Sequence, residues 1–405
     1  MNKTVVLAYS GGLDTSVCVR WLTARGFRVV AFMADVGQEE PLTRLTRRAK
    51  VAGAAEVVVR DLREEFAREY LMPALNAHAV YEGKYLLGSA LSRPLIAKHL
   101  VEVAHRKGAE AVAHGCTGKG NDQVRFEVSV RALDPTLQII APVREWEFRS
   151  REEELAYATQ HGIPVDVKTQ TPYSIDQNLW GVSIEAGVLE DPWHEPPLDS
   201  FRWLRPQERT PAKGTHMTIE FRQGIPVKLN GRRLGLVRLI QELNRVGSLH
   251  GIGRSDLIES RVVGIKSREV YEAPAAHLLM EAHADLERFV LDRELLHYKH
   301  LLGLKYGELV YDGLWFTPLK AALEAFVNET QRRVSGTIRL KLFKGSCQVV
   351  GRRSPHALYH KTLATYSADD RFDQTAAEGF IKLWGLPYEK VAQWPGGKVA
   401  KRLSR

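Results

Sequence analysis

A short polar string between two apolar segments carries the residue types that phosphate binding requires. The run before it, residues 4–9, suits a buried parallel strand, and apolar residues recur at four-residue spacing from Leu13 to Trp21 after it. At such a strand-to-helix junction, unpaired N–H groups and the positive end of the helix dipole attract a phosphate. The string consists of Ala8, Tyr9, Ser10, Gly11, Gly12, Leu13, Asp14, Thr15 and Ser16.

The individual residues of this string explain why a phosphate would bind there. Gly11 and Gly12 allow a sharp turn and let phosphate oxygens approach the backbone, and the hydroxyl side chains add donors. Asp14 repels a bare phosphate, so it favours a capping role or a magnesium ion. The string matches neither the P-loop of kinases nor the dinucleotide-binding fingerprint. A turn without function is the alternative, but the complete pattern S-G-G-x-D-[ST]-S after a strand favours a binding loop.

A second glycine-rich stretch, His114 to Gly120, follows a later strand-like run. Asn121, Asp122 and Arg125 come directly behind it. A loop at the carboxyl end of a parallel strand lies where open α/β sheets bind ligands. Carboxylates need Arg, Lys or N–H partners and ammonium groups need Asp or Glu, so this mixture suits an amino acid. A plain tight turn is the alternative that the residues alone leave open.

Strand and helix patterns alternate over the first 165 residues. This alternation predicts an α/β domain with a parallel sheet that helices cover on both faces. Ser150 and Glu153 form a capping-box pattern, which predicts a helix that begins there and ends at Gly162. The predicted strands are 4–9, 27–34, 56–59, 111–114 and 138–141, and the predicted helices include 13–26, 42–52 and 91–107.

The amino-acid composition of the chain changes near residue 166, where a second domain is predicted to begin. Residues 166–215 are rich in Pro, Asp, Ser and Thr, and we interpret them as connecting loops. The remainder has an α+β pattern and ends in an aromatic-rich appendage. The predicted parts are 1–165, a nucleotide-binding domain, 166–365, a second domain, and 366–405, a C-terminal arm. Hairpins are predicted at 216–229 and 337–350, and helices at 275–300, 319–334 and 375–383, the last closed by Gly385 and Pro387.

The composition excludes several classes of protein. Hydrophobic residues make up 44% and charged residues 26% of the 405 residues, as in an ordinary globular protein. The sequence shows no apolar run that could cross a bilayer, no secretory signal and no metal-binding or disulfide spacing among its three cysteines. We therefore expect a cytoplasmic protein without a membrane partner. The net charge of +9 would suit nucleic acid, but Lys and Arg are scattered along the chain, so we expect no nucleic-acid partner.

The string at residues 8–16 resembles the pyrophosphate loop of the ATP pyrophosphatase (PP-loop) superfamily. Members of that group cleave ATP between the α and β phosphates and adenylate their substrate. Longer strings resemble the argininosuccinate synthase family, over about residues 4 to 360. The resemblance implies a PP-loop α/β domain, an α+β synthetase domain and an oligomerisation arm. The strings are Tyr85 to Pro94, His114 to Glu127, Tyr173 to Trp180, Glu185 to Glu190 and Gly264 to Glu272.

This resemblance implies a ligase of arginine biosynthesis that joins citrulline to aspartate at the expense of ATP. The ureido oxygen of citrulline attacks the α-phosphorus and pyrophosphate leaves. The aspartate amine then attacks the citrullyl adenylate, and AMP is released. Catalysis would depend on positioning and charge stabilisation, without a covalent enzyme intermediate. ATP is then a co-substrate, Mg²⁺ is implied by its chemistry without assigned ligands, and a homotetramer is implied.

The resemblance also implies which residues contact each substrate. One departure concerns Ala90, because some family members carry there a hydroxyl that contacts citrulline. Without the resemblance, Glu259 and Tyr271 would pass for a surface carboxylate and a half-buried aromatic side chain. The implied ATP contacts are residues 8–16, Ala34 and Gly115; the aspartate contacts are Thr117, Asn121 and Asp122; the citrulline contacts are Tyr85, Asn121, Arg125, Ser174, Ser183, Glu259 and Tyr271.

Two other functions remain open at this stage. A tRNA-modifying enzyme with the same loop would fit the positive charge and would use Cys116 as a sulfur carrier, but such enzymes usually need a matched pair of cysteines. A non-catalytic nucleotide sensor would keep the loop, yet it would have no need for Arg125, Glu259 and Tyr271 together.

Overall fold

The computed structural model describes residues 3–164 and 172–394. The chain divides into two compact units, Met1–His356 and Ala357–Arg405. The predicted three-part division stays a prediction, since the stretch around its first boundary lies outside the described residues. Within the described ranges, no helix has both the length and the apolar character that a membrane crossing needs.

The first part of the chain alternates strands and helices, as predicted. Its elements are β1 (Thr4–Ala8), α1 (Leu13–Ala24), β2 (Arg28–Asp35), α2 (Leu42–Ala52), β3 (Glu56–Asp61), α3 (Arg63–Glu65), a π-helical turn (Phe66–Leu71), α4 (Met72–Ala77), α5 (Gly88–Lys107), β4 (Ala111–His114), α6 (Asn121–Leu133), β5 (Gln138–Ile140), α7 (Pro142–Glu145) and α8 (Arg151–Gln160). The strands form a parallel sheet in the order β3-β2-β1-β4-β5. The strand order reverses between β1 and β4, so the loops after these two strands meet at the edge where such sheets bind ligands.

Helices cover both faces of this sheet because its strands are apolar on both sides. In β1, Val6 and Ala8 belong to one apolar cluster, whereas Val5 and Leu7 belong to another. The first cluster also contains side chains of α5 and of residues 275–290, and the second contains side chains of α1 and α2. The strand is therefore held rigidly from both sides, which fixes the position of the loop that follows it.

The second part of the first unit contains two antiparallel sheets. Its elements are β6 (Ser174–Gln177), β7 (Val182–Glu185), β8 (Thr215–Arg222), β9 (Ile225–Leu229), β10 (Arg232–Arg233), α9 (Leu236–Leu249), β11 (Arg254–Ser260), β12 (Lys266–Glu272), α10 (Pro274–Val290), α11 (Arg293–Tyr311), α12 (Pro318–Gln331), β13 (Gly336–Phe343) and β14 (Ser346–Arg353). The strand orders are β10-β9-β8-β13-β14 and β11-β12-β7-β6. Both predicted hairpins are confirmed as β8-β9 and β13-β14. The second unit contains α13 (Lys361–Ala364) and α14 (Ala376–Gln393).

One helix signal of the sequence is confirmed, and two are wrong. Ser150 accepts a hydrogen bond from the Glu153 N–H and begins α8, as the capping box predicts. The predicted helix at 275–300 is two helices, because Asp292 caps a new one. In the arm, α14 does not stop at Gly385 but continues through Pro387 to Gln393. The proline removes one backbone donor without ending the helix, and nothing in that unit explains how its cost is offset.

The interpretation of residues 166–215 as loops is also wrong in part. Residues 174–177 and 182–185 form β6 and β7, which pair with each other and, through β7, with β12. These strands have four residues each, so their alternating pattern is too short to stand out. Their partner strand lies far along the chain, and only the tertiary fold reveals the pairing.

A buried polar cluster joins α4, α10, α11 and α12. Lys299 donates to Glu287 at 3.0 Å and Gln331 donates to it at 2.6 Å. His283 contacts Gln331 at 2.9 Å and His78 at 3.3 Å. Burial lowers the pKa of both histidines, so both are neutral. Among the described residues these two histidines and Glu287 could converge on a metal ion, but Lys299 already neutralises the carboxylate. We therefore interpret the cluster as a satisfied part of the core.

Candidate active site

A cavity of about 600 Å³ opens at the carboxyl edge of the parallel sheet, beside the β11-β12-β7-β6 sheet. It collects side chains from segments that lie far apart in sequence. Among them are most of the residues that the sequence predicts for a site. These are Ala8, Tyr9, Ser10, Gly12, Asp14, Thr15, Ala34, Tyr85, Gly115, Thr117, Asn121, Asp122, Arg125, Ser174, Ser183, Glu259 and Tyr271.

Three predicted residues, Gly11, Leu13 and Ser16, do not line this cavity. Gly11 has a φ of 88°, and a side chain there would collide with Leu45. The Ser16 hydroxyl is buried, 2.8 Å from the Gly12 carbonyl oxygen and 2.9 Å from the Tyr9 hydroxyl. These residues therefore shape the loop from behind rather than facing its open side.

The loop between β1 and α1 has the geometry of an anion-binding site. The first intrahelical hydrogen bond runs from the Ser16 N–H to the Gly12 carbonyl at 3.1 Å, so the N–H groups of residues 13–15 have no partner within the helix. Around a Cβ placed on Gly12, Ser10 Oγ at 3.6 Å is the nearest neighbour, so the space in front of this residue is open. A Cβ on Gly115 would lie 2.9 Å from Thr15 Cγ2, which shows how closely the second loop approaches α1.

Asp122 is held by two arginines on the opposite side of the cavity. Arg93 donates to its Oδ2 from Nε at 2.9 Å and from Nη2 at 2.7 Å, and Arg125 donates to its Oδ1 at 2.9 Å. Burial opposes the charge of Asp122, but the two guanidinium groups outweigh burial and lower its pKa to about 2. Arg93 also donates to Asp176 at 2.7 Å. This side of the cavity therefore carries fixed charges of both signs, which suits an amino acid.

Two buried donors at this cavity have no hydrogen-bond partner among the described residues. Arg125 is 4% exposed, and its Nη2 group bonds to no described acceptor. Gln177 lines the same cavity, and its Nε2 group is likewise unbonded within the described ranges. Since unpaired buried donors are costly, both groups indicate where a ligand would supply acceptors such as carboxylate oxygens.

Glu259 forms the far wall of the cavity together with two tyrosines. Its carboxylate accepts hydrogen bonds from the hydroxyl groups of Tyr271 at 2.6 Å and Tyr311 at 2.5 Å. Burial raises the pKa of Glu259, whereas the two hydroxyl groups act in the opposite direction. Beside it, burial and the charge of Glu185 raise the pKa of Glu269 to about 9.

The hydroxyl expected at position 90 is supplied one residue earlier. Ala90 is fully buried and does not line the cavity. Ser89 does line it, and its hydroxyl lies 3.0 Å from that of Ser183. The departure at position 90 therefore does not leave this wall without a hydroxyl group.

Several cavity residues were not predicted from the sequence. Arg93 and Asp176 lie inside strings that carry the family resemblance, but nothing local shows that they meet 83 residues apart. Arg261 joins Glu185 and Glu269 to the second loop, where it donates to the Lys119 carbonyl at 3.2 Å. Cys116 also lines the cavity, and burial raises the pKa of its thiol. A neutral thiol is a poor nucleophile, so a sulfur-carrier role is not supported.

Known proteins are similar to almost the whole chain. Residues 4–164 match the model of the argininosuccinate synthase N-terminal HUP domain, and residues 173–391 match that of the C-terminal domain. The chain belongs to the argininosuccinate synthase family. It is 54% identical to the argininosuccinate synthase of Aquifex aeolicus, over 98% of this chain and 100% of that one. It is 55% identical to that of Bacillus licheniformis, over 95% of this chain and 96% of that one.

Two solved structures each resemble part of the chain. A 4-thiouridine synthetase in complex with RNA and ATP covers 40% of this chain and 41% of its own, with 18% identity and a TM-score of 0.30. A predicted tRNA methyltransferase subunit from Methanocaldococcus jannaschii covers 39% of this chain and 76% of its own, with 16% identity and a TM-score of 0.28. These partial matches do not favour RNA modification over membership of the argininosuccinate synthase family.

Proposed function

We propose that this cavity joins citrulline to aspartate in two steps, with ATP on the β1-α1 loop and the two amino acids on the charged walls opposite. Membership of the argininosuccinate synthase family makes the chain an ATP-dependent ligase that forms argininosuccinate, a reaction of arginine biosynthesis. The observation that supports the placement most strongly is that the phosphate loop and the Asp122, Arg125 and Glu259 side chains open onto one cavity.

ATP would lie along the carboxyl ends of β1 and β2. The phosphates would lie on the open side of Gly12 and would accept hydrogen bonds from the unpaired N–H groups of residues 13–15. The base would lie against the apolar patch at the end of β2, which includes Phe32, Met33 and Ala34. In this arrangement the α-phosphorus faces the cavity rather than the bulk solvent.

The carboxylate of Asp14 fits a magnesium ion. Asp14 lines the cavity at the phosphate loop, beside Gly12 and Thr15. Carboxylate oxygens are among the hard ligands that Mg²⁺ prefers. Asp14 would therefore help to hold the ion, which would neutralise charge on the phosphates.

The reaction needs no nucleophile from the protein. The ureido oxygen of citrulline forms a bond to the α-phosphorus while the bond between the α and β phosphates breaks, and pyrophosphate leaves. The aspartate amine then bonds to the ureido carbon, and the carbon–oxygen bond breaks to release AMP. The protein contributes by orienting three substrates and by excluding water.

The two amino acids would occupy different walls. Aspartate would contact Thr117, Asn121 and Asp122, with the arginines nearby for its carboxylates. The ammonium group of citrulline would contact Glu259. The carboxylate of citrulline would accept a hydrogen bond from the unpaired Nη2 of Arg125. The hydroxyl groups around Ser183 would complete the citrulline side. The remaining citrulline contacts would come from Tyr85, Asn121, Ser174 and Tyr271.

Product formation tests this function directly. Purified protein given ATP, citrulline and aspartate should release AMP and pyrophosphate in equal amounts, and omission of citrulline should stop both. Turnover that required tRNA, or that proceeded without citrulline, would support the tRNA-modifying alternative. ATP binding without turnover under any of these conditions would indicate a nucleotide sensor.

We also propose that the arm assembles subunits into a homotetramer in the cytoplasm. Phe380, Trp384 and Tyr388 recur at four-residue spacing along α14 and are 61%, 62% and 69% exposed. Large aromatic side chains in a row on one helix face are unfavourable in water and are typical of a contact surface.

Removal of the arm should therefore change the assembly state. Deletion of residues 366–405 should lower the particle mass measured by light scattering, because the exposed aromatic face is lost. Phe380→Ser with Trp384→Ser is the matched variant that keeps the full chain and should act in the same direction. A truncated protein with the full-length particle mass would rule out the arm as the assembly element.

A further inference from the structure

Tyr311 forms hydrogen bonds with three of the residues assigned to the amino-acid sites, although it does not line the cavity itself. It is the last residue of α11 and is fully buried. Its hydroxyl donates to Glu259 at 2.5 Å and accepts from Asn121 Nδ2 at 2.8 Å. Its backbone carbonyl accepts from Arg125 Nε at 2.8 Å. One residue thus joins the predicted binding groups of α6 and β11.

The end of α11 is built to approach the cavity closely. The last carbonyl groups of a helix lack intrahelical partners, and the Tyr311 carbonyl receives the Arg125 guanidinium instead. The same guanidinium lies 4.8 Å from the centre of the Tyr311 ring. Gly313, with a φ of 76°, follows at a point where a Cβ would lie 2.7 Å from Arg125 Cα. The chain can therefore turn away from Tyr311 only because this residue is glycine.

The ring of Tyr311 is fixed independently of its hydroxyl group. It stacks on Tyr81 with 3.5 Å between ring centres and meets the Tyr85 ring edge-on at 6.1 Å. Tyr85 in turn stacks on Tyr271, the other tyrosine that donates to Glu259. A phenylalanine at position 311 would keep these ring contacts and would lose only the hydroxyl bonds.

We propose that Tyr311 is a positioning residue for citrulline, which aims the Glu259 carboxyl group at the substrate ammonium group. This inference depends on the proposed assignment of Glu259 to citrulline. The hydroxyl group donates a short bond to the charged form of the carboxylate, and such a bond favours ionisation. Through Asn121, the same hydroxyl connects the citrulline side of the cavity to the aspartate side.

The electrostatic surroundings give this role a pH signature. Burial raises the pKa of Glu259, and the Tyr271 and Tyr311 hydroxyl groups are the largest opposing influences. Loss of one of them should raise that pKa further, so the carboxyl group would lose its charge at a higher pH. Citrulline use should then fall away on acidification earlier than in the wild type. The groups that face Glu259 are Tyr81, Tyr85, Arg125, Arg261, Glu269, Tyr271 and Tyr311.

The test compares Tyr311→Phe with Tyr306→Phe across pH. Tyr306 lies on the same helix and is fully buried, and its hydroxyl bonds to no described residue, so its removal should change little. We expect Tyr311→Phe to lower kcat/KM for citrulline by about 10- to 100-fold. The acid limb of its pH profile for citrulline should move to higher pH, while the KM for ATP should stay near that of Tyr306→Phe.

A double-mutant cycle separates positioning from general stability. If Tyr311 acts through Glu259, adding Tyr311→Phe to Glu259→Gln should cost much less than it costs in the wild type. Additive losses, or equal losses for ATP and citrulline with a lowered thermal midpoint, would overturn the inference. Normal citrulline use in Glu259→Gln itself would instead show that the proposed citrulline site is wrong, whatever Tyr311 does.

Discussion

Gly12→Val is expected to abolish pyrophosphate release while the protein stays folded. Gly12 has a φ of −67°, which a valine can adopt, and the nearest described atom to its future Cβ, apart from the adjacent residues, is Ser10 Oγ at 3.6 Å. The valine side chain would thus occupy open space in the free protein. In the complex it would occupy the position of the phosphates. An assay of pyrophosphate release checks the expected loss of activity, and circular dichroism on the same preparation checks that the protein stays folded.

The neighbouring glycine provides a contrasting control. Gly11 has a φ of 88°, and a Cβ there would collide with Leu45, so Gly11→Ala should cost stability first. A lower thermal midpoint in Gly11→Ala, with an unchanged midpoint in Gly12→Val, would show that Gly11 maintains the shape of the loop. Gly12 would then be the residue that contacts the phosphates. Near-normal turnover in Gly12→Val would contradict the assignment of this loop to the phosphates.

Substitutions on the two charged walls should affect different substrates. Asp122→Ala should mainly impair the use of aspartate, and Glu259→Ala should mainly impair the use of citrulline. The loss of one charge-assisted contact costs about 1.5–3 kcal/mol, which corresponds to about one to two decades in kcat/KM. Kinetics with each substrate varied in turn measures the partition. A rise confined to the KM for ATP in both variants would show that the partition is wrong.

A carboxylate outside the cavity serves as the control for these variants. Asp285 accepts two hydrogen bonds from Arg352, at 2.6 and 2.9 Å, much as Asp122 accepts bonds from its arginines. Asp285→Ala removes a paired carboxylate without touching the site. It should leave all three KM values unchanged and cost at most about 1 kcal/mol of stability.

The part of the site that the sequence predicted depends on local signals. The loop at residues 8–16 was correctly expected between a strand and a helix, because the apolar strand, the glycines and the helix that begins at Leu13 are consecutive in the chain. The second loop was found for the same reason, since the strand at 111–114 ends directly before it. Both loops were expected at one edge of a parallel sheet, and the strand order confirms that they meet there.

The part that the sequence did not predict depends on contacts across the fold. Arg93 is a helical residue, and its bonds to Asp122 and Asp176 exist only once α5, α6 and β6 have packed together. Tyr311 lies between the predicted helices at 275–300 and 319–334, and its hydroxyl reaches Glu259 across 52 residues. The family resemblance supplied the roles of Glu259 and Tyr271, which their residue types alone would not have indicated.

The most direct measurement of the central claim follows the ureido oxygen of citrulline. In the proposed reaction this oxygen attacks the α-phosphorus and leaves as part of AMP. Citrulline labelled with ¹⁸O in the ureido group should therefore give AMP that carries the label in its phosphate, as mass spectrometry of the products would show. Label in pyrophosphate or inorganic phosphate, with none in AMP, would mean that another phosphorus is attacked and would contradict the account.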